Sequence, residues 1–128
     1  MIKETNSKEI LNFIIKYFPN YKISSDPFEK VYAYFDGDII GFISFSSIYE
    51  RCEINYIAVR EDYRRKGIAQ KLLDYCFNNN DFESISLEVR ADNLAAINFY
   101  LKNGFEKVST RDKYYGNVDA VMMVKKVI

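Results

Sequence analysis

The feature that most constrains this chain is a β-run, a charged glycine-containing loop, an amphipathic helix and a second β-run, packed into 38 residues between Glu53 and Arg90. Glu53-Ile54-Asn55-Tyr56-Ile57-Ala58-Val59 is rich in strand formers, and Ile68, Leu72, Leu73 and Cys76 then fall on one helical face. In Ser84-Ile85-Ser86-Leu87-Glu88-Val89-Arg90 the alternation is strict, with Ile85, Leu87 and Val89 on one face and Glu88 and Arg90 on the other. A strand, a helix and a strand at this spacing imply a right-handed parallel crossover.

The flanking segments are of other kinds. Lys30–Phe35 and Ile39–Phe45, joined by Asp36-Gly37-Asp38, read as an antiparallel hairpin. Before it, Ser7 is expected to cap an amphipathic helix striped by Ile10, Leu11, Ile14, Ile15 and Phe18 and stopped at Pro19. After it, Leu94, Ile97 and Leu101 stripe a further helix, started by Asp92 or Asn93 and ended at Gly104. Strands around 105–110 and 120–127 close the chain. The order β-α-β-β-β-α-β-α-β-β makes an α+β fold with a mixed, mostly antiparallel central sheet and flanking helices. With 128 residues, the whole chain from 1 to 128 is expected to be one domain.

Composition narrows the chemistry. There is no histidine, which removes imidazole bases, Ser-His and Cys-His dyads and His-ligated zinc, leaving acid–base work to Glu, Asp, Lys, Tyr or Cys. Eighteen basic residues balance 18 acidic ones, so no global positive field exists to hold a nucleic acid. Cys52 and Cys76 make no metal-ligand or C-x-x-C spacing and read as structural thiols in a reduced, metal-free, cytoplasmic protein. No apolar run approaches the ~20 residues needed to cross a bilayer, so no membrane role is expected. Oligomeric state is not legible.

Local chemistry concentrates between Val59 and Gln70. Three cations, Arg64, Arg65 and Lys66, precede Gly67 at the start of a helix, where unpaired N–H groups and the macrodipole favour an anion. Gly67 admits a phosphate close to the backbone, and the small Ala69 leaves the first helical turn open. The residues alone permit two readings, a diphosphate cradle or a solvated basic turn.

Arg64-Arg65-Lys66-Gly67-Ile68-Ala69 resembles the Gln/Arg-x-x-Gly-x-Gly/Ala cofactor signature of the GNAT family of N-acetyltransferases. The resemblance continues in order through Leu87-Glu88-Val89-Arg90-Ala91-Asp92-Asn93, Ala96-Ile97-Asn98-Phe99-Tyr100 and Asn103-Gly104-Phe105. It is closest to the subgroup that acetylates protein N-termini, the bacterial ribosomal-protein alanine N-acetyltransferases among them. That subgroup carries the Leu-Glu-Val-Arg strand and a late Arg-x-x-Tyr-Tyr and Asp-Ala-x-x-Met, here Arg111–Tyr115 and Asp119–Met123.

The resemblance implies a single GNAT-type domain whose two parallel strands splay into a V, and acetyl-CoA as the donor. It assigns the pyrophosphate to Arg64, Arg65, Lys66, Gly67, Ile68, Ala69 and Gln70, and the pantetheine arm to the strand Ile57, Ala58 and Val59. A backbone N–H at Ala58 or Val59 is implied to steady the developing oxyanion. Asn93 is implied to contact CoA, in addition to its reading as a helix cap. Glu88 is implied as base and Tyr100 as acid, with Glu53 the competing base, as in some lysine-acetylating members. Read without the family, Glu88 is an exposed strand residue paired with Arg90 or a lysine, and Tyr100 is helix core three residues after Ile97. Tyr114 and Tyr115, beside a turn at Gly116-Asn117, suit a wall for a peptide N-terminus.

The implied acceptor is a primary amine, most simply a protein α-amine. With a pKa of about 7.7–8.0 it is already partly neutral at pH 7, whereas a lysine amine at about 10.4 is not. The segment from Ser7 to Phe28 is shorter than the two helices relatives usually place there. A polyamine or aminoglycoside-like acceptor is therefore the alternative, and, since a fold can persist without its activity, so is a non-catalytic acyl-CoA-binding module.

Overall fold

The computed structural model describes residues 1–127. Seven strands, β1 (Ile2–Thr5), β2 (Glu29–Asp36), β3 (Asp38–Ile48), β4 (Arg51–Val59), β5 (Ser84–Arg90), β6 (Glu106–Tyr115) and β7 (Val118–Lys126), form one sheet. Its order is β1-β2-β3-β4-β5-β7-β6, and every pairing is antiparallel except β4 with β5. The helices are α1 (Leu11–Tyr17), α2 (Ile68–Asn78) and α3 (Leu94–Lys102), with a 3-10 turn at Glu61–Tyr63 before α2.

Alternation in β2 and β3 sends side chains to two cores. Val31, Ala33 and Phe42 meet Ile10, Phe13 and Ile14 of the α1 region. Tyr32, Ile43 and Phe45 face the other way, onto Leu72, Leu73 and Cys76 of α2, joined there by Ile97 and Tyr100 of α3. The four periodic apolar residues of α2 are all buried, each contributing about 1.5–3 kcal/mol for the larger side chains. Gly41 lets α2 approach the sheet, since a Cβ there would stand 3.1 Å from the Ala58 carbonyl and 3.3 Å from Leu72.

The parallel crossover forms, but its two strands stay together only briefly. Arg51, Cys52 and Glu53 pair with Ser84, Ile85 and Ser86, after which β4 and β5 part. On its other side β4 carries a bulge: Ser44 pairs with Tyr56 and Phe45 with Ile54, leaving Asn55 without an opposite residue. The extra residue bends and twists the strand. Meanwhile β5 keeps its full pairing with β7, so the sheet opens into a V at this point.

Three local expectations give way. Ser7 does not cap α1: it is buried and its hydroxyl donates to Glu29 Oε1 at 2.6 Å. The partner lies 22 residues away, beyond the reach of a local motif. Leu94 and Leu101 share a period with Ile97 but are 67% and 44% exposed, because α3 turns its Ile97–Tyr100 side to the core. The last two strands are also longer than expected, since Tyr115 pairs with Val118 right at the Gly116-Asn117 turn.

Candidate functional site

A run of connected cavities follows the opened seam from the start of α2 to the far end of the sheet. The first two, about 360 Å³ and about 610 Å³, share Val59, Arg64, Arg65, Ala69 and Phe99. The second shares Phe18, Ile57, Ala96 and Tyr100 with a space of about 360 Å³ inside the V itself. That space in turn shares Ile54, Asn55, Tyr56, Glu88 and Tyr115 with a groove of about 870 Å³.

At the α2 end the main chain makes the surface. Arg65 at φ +61 and Gly67 at φ +76 turn the loop sharply into the helix. No side chain caps the first turn, and the space beside Gly67 is open, since a Cβ there would meet nothing within 4 Å. Arg64, Arg65 and Lys66 are exposed, and Arg64 Nε donates to the Val59 carbonyl at 3.1 Å. The neighbouring Arg60 is neutralised by Asp62 at 2.7 Å. This chemistry fits a pyrophosphate: open donors and a positive end, with the nearby Asp62 carboxylate already paired to Arg60.

Not every residue assigned to this end offers its side chain. Ile68 is buried in the core, and Gln70 is engaged with Asn103 by two reciprocal hydrogen bonds of 2.7 and 3.0 Å that tie α2 to the end of α3. Asn93 accepts from the Ala96 N–H at 3.2 Å, which is the expected cap, and it also borders the V. Asp92 is instead paired with Arg90 at 3.0 Å.

Strand geometry separates Ala58 from Val59. The Arg60 N–H donates to the Ile40 carbonyl at 2.8 Å, so alternation turns the Ala58 N–H toward β3 as well. The N–H groups of Ile57 and Val59 face the side that β5 has left. Of the two backbone donors considered for an oxyanion, Val59 is the one directed into the cleft.

Tyr100 stands where the cavity of about 610 Å³ meets the V. It is 5% exposed and packs edge-on to Phe99 and Phe105 with ring centroids 5.3 and 5.4 Å away. Burial pushes its phenol up to about 12, so it stays neutral. Glu88 also borders the V, and its Oε1 lies 3.1 Å from Arg111 Nη2 on β6. The structure therefore gives Glu88 a cationic partner other than Arg90 or a lysine. Glu53, the last residue before β4 and β5 part, is exposed and borders the outer groove but not the V.

Side chains from six segments line the groove. Tyr114 and Tyr115 form one aromatic pair, 5.1 Å apart at 86°, and both border it. Sequence reading missed the opposite wall, where Tyr56 packs on Phe18 at 4.8 Å and on Tyr21 at 5.2 Å. Residues 21–26, without helix or strand, complete that side. Burial raises the Tyr56 and Tyr115 phenols, and the Tyr21 hydroxyl is buried with no hydrogen-bond partner. Lys22, Ser24, Asp26 and Tyr114 are exposed, so the space is an open groove. Asp26 is held below the usual carboxylate range by Ser46, whose hydroxyl donates at 2.7 Å, and by the Phe28 N–H.

Both thiols are free and buried, and the Cys52 thiol is pushed up by hydrogen bonding to Cys76 and by burial. Among the described residues, no helix is long and apolar enough to cross a membrane, and no cluster of His, Cys, Asp and Glu could hold a metal ion.

Comparison with known proteins bears on this arrangement. The sequence model described as the acetyltransferase (GNAT) family matches residues 4–105. An N-alpha-acetyltransferase of Saccharolobus solfataricus is 37% identical over 110 residues, covering 73% of this chain and 66% of that protein. A ribosomal-protein alanine N-acetyltransferase of Escherichia coli is 32% identical over 95 residues, covering 69% of this chain and 64% of that protein. The chain thus spans less than two thirds of the length of these relatives. The crystal structure of the Escherichia coli ribosomal-protein alanine N-acetyltransferase superposes with a TM-score of 0.82 at 22% identity, covering 99% of this chain and 93% of that one. Signature loop, opened parallel seam and family match coincide, and the chain belongs to the GNAT acetyltransferase family.

Proposed function

We propose that this protein transfers an acetyl group from acetyl-CoA to a primary amine, and that the amine is the α-amine of a polypeptide. The observation that carries this reading is the parting of β4 and β5 after three residue pairs. It opens one channel that runs from the uncapped start of α2, past Tyr100 and Glu88, into an open aromatic groove.

Acetyl-CoA, when bound, supplies an acetyl group activated as a thioester. The first-turn N–H groups of α2, with Gly67 open beside them and Arg64, Arg65 and Lys66 around them, hold the pyrophosphate. Ile57 and Val59 offer backbone N–H groups to the arm and to negative charge gathering on the carbonyl oxygen. Glu88 accepts the proton of the attacking amine, directly or through water, which is light work for an α-amine already partly neutral at pH 7. Tyr100 donates a hydrogen bond to the departing sulfur. A phenol near 12 holds its proton more tightly than a thiol near 8.5, so stabilisation of the thiolate, rather than complete proton transfer, is its role. Glu88 is placed better than Glu53 for the base, because only Glu88 borders the V together with Tyr100. Tyr114, Tyr115, Tyr21 and Tyr56 flank the acceptor. Two buried, unpaired thiols accord with a cytoplasmic setting.

Incubation of a panel of peptides with acetyl-CoA, read by mass spectrometry, tests the proposal. Gain of one acetyl group on the α-amine is expected. Acetylation of polyamines or aminoglycosides with none of any peptide would overturn the α-amine reading, and tight CoA binding with no turnover on any amine would overturn the catalytic one.

A further inference from the structure

Beyond the groove that receives the amine, the same face of the sheet continues to the foot of β4 and β5. A second space of about 700 Å³ lies there, bordered by Ile48, Tyr49, Glu50, Arg51 and Glu83 and sharing Ser46 and Glu53 with the groove. The two spaces share one face because Glu53 pairs in register with Ser86, opposite the buried Ile85 and Leu87. On this face α1 packs over β2 and β3, and the foot of β4 and β5 lies outside that core.

We infer that a polypeptide acceptor continues past its reacting amine along this foot, where its third to fifth residues are held with a preference for basic side chains. The inference rests on the α-amine reading above and adds the path and charge of the acceptor. Length supports it: from Tyr56 in the throat to Arg51 at the foot is five residues of strand, about 16 Å, which an extended chain covers in about five residues. A small amine would occupy the throat alone. Charge supports it too. Among the residues bordering this space Glu50, Glu53 and Glu83 are exposed and Arg51 is the one cation, and no hydrogen bond or ion pair engages the Glu50 or Glu83 carboxylate among the described residues. Their backbones are fixed, the Glu83 N–H donating to Glu50 O and the Val127 N–H to Glu83 O, both at 2.8 Å. These carboxylates therefore stand on a firm edge. At the rim Ile48 and Tyr49 are 53% and 92% exposed, with Tyr49 at φ +56, a conformation that favours glycine. An exposed aromatic beside unpaired carboxylates suits the apolar stems and charged heads of lysine and arginine. The opposite end of the channel is cationic, so a basic chain is directed away from it.

The test is a series of amidated peptides with one common first residue and two, three, five or eight residues in all. Each is made with basic or acidic side chains from the third position, and kcat/KM is measured by thiol release. For the basic series kcat/KM should rise about tenfold between two and five residues and then level off. The acidic series should show no rise, and the difference should shrink as salt is added. In the double variant Glu50→Lys, Glu83→Lys, whose positions are exposed, the ratio of the five-residue to the two-residue basic peptide should fall toward one. Thermal melting checks its fold. Equal kcat/KM at every length, or a ratio unchanged in the double variant, would overturn the path while leaving α-amine acetylation standing. Acetyl transfer to small amines but to no peptide would overturn both.

Discussion

The two ends of the channel are built by different means. At the end proposed for the donor, one contiguous stretch from Ile57 to Gln70 supplies nearly everything, and the groups offered are main-chain N–H groups at a helix start. At the end proposed for the acceptor, the walls come from residues 21–26, Glu29, Ser46, residues 53–56, Glu88, Arg111, Tyr114 and Tyr115, and the groups offered are side chains. A backbone site depends on a few torsion angles, so a change at one residue removes it. A side-chain site distributes its contacts, so single changes there grade specificity rather than abolish binding.

This contrast is open to direct attack. The largest effect is expected from Gly67→Glu, which puts a side chain and a negative charge where φ is +76 and the space is open. CoA affinity measured by calorimetry should fall by at least about a hundredfold, and retained binding would break the backbone account of the donor end. Next comes Tyr100→Phe at the junction, which should lower kcat by about a hundredfold while CoA affinity moves less than threefold. The same variant bears on pH. The folded phenol sits near 12 and the unfolded one near 10, so Tyr100 contributes stability that is full below pH 10 and is lost as pH rises toward 12. Chemical denaturation of Tyr100→Phe should show a smaller alkaline loss than the parent. The smallest effect is expected from Asn93→Ala, which removes the cap on the Ala96 N–H. About 1 kcal/mol, or a few degrees of melting temperature, should be lost. Any larger fall in CoA affinity would show that Asn93 serves the cofactor as well as the helix.

The same division governs what could be read before the structure was known. The face of α2 was legible because Ile68, Leu72, Leu73 and Cys76 repeat at the helical period and nothing competes for them. The left-handed end of α3 at Gly104, at φ +89, and its start at Asp92 or Asn93 were legible for the same reason, each being decided within four residues. Ser7 misled because its hydroxyl goes to Glu29, and Leu94 and Leu101 misled because periodicity does not say which side of a short helix the core will claim. The pairing of Glu88 with Arg111 needs β7 to lie between β5 and β6, and no local pattern encodes that order. The aromatic wall of Phe18, Tyr21 and Tyr56 was missed because α1's exit and β4 meet only once the sheet is formed.

By itself, the chain's sequence determined the strands and helices, the positive glycine-bearing start of α2 and the chemical types available, since each rests on neighbours a few bonds apart. The tertiary structure alone decided where β4 leaves β5, which backbone N–H groups face the gap, and which distant side chains converge on the groove. Those depend on one unpaired residue at Asn55 and on contacts between segments tens of residues apart, whose geometry exists only after the chain has closed on itself.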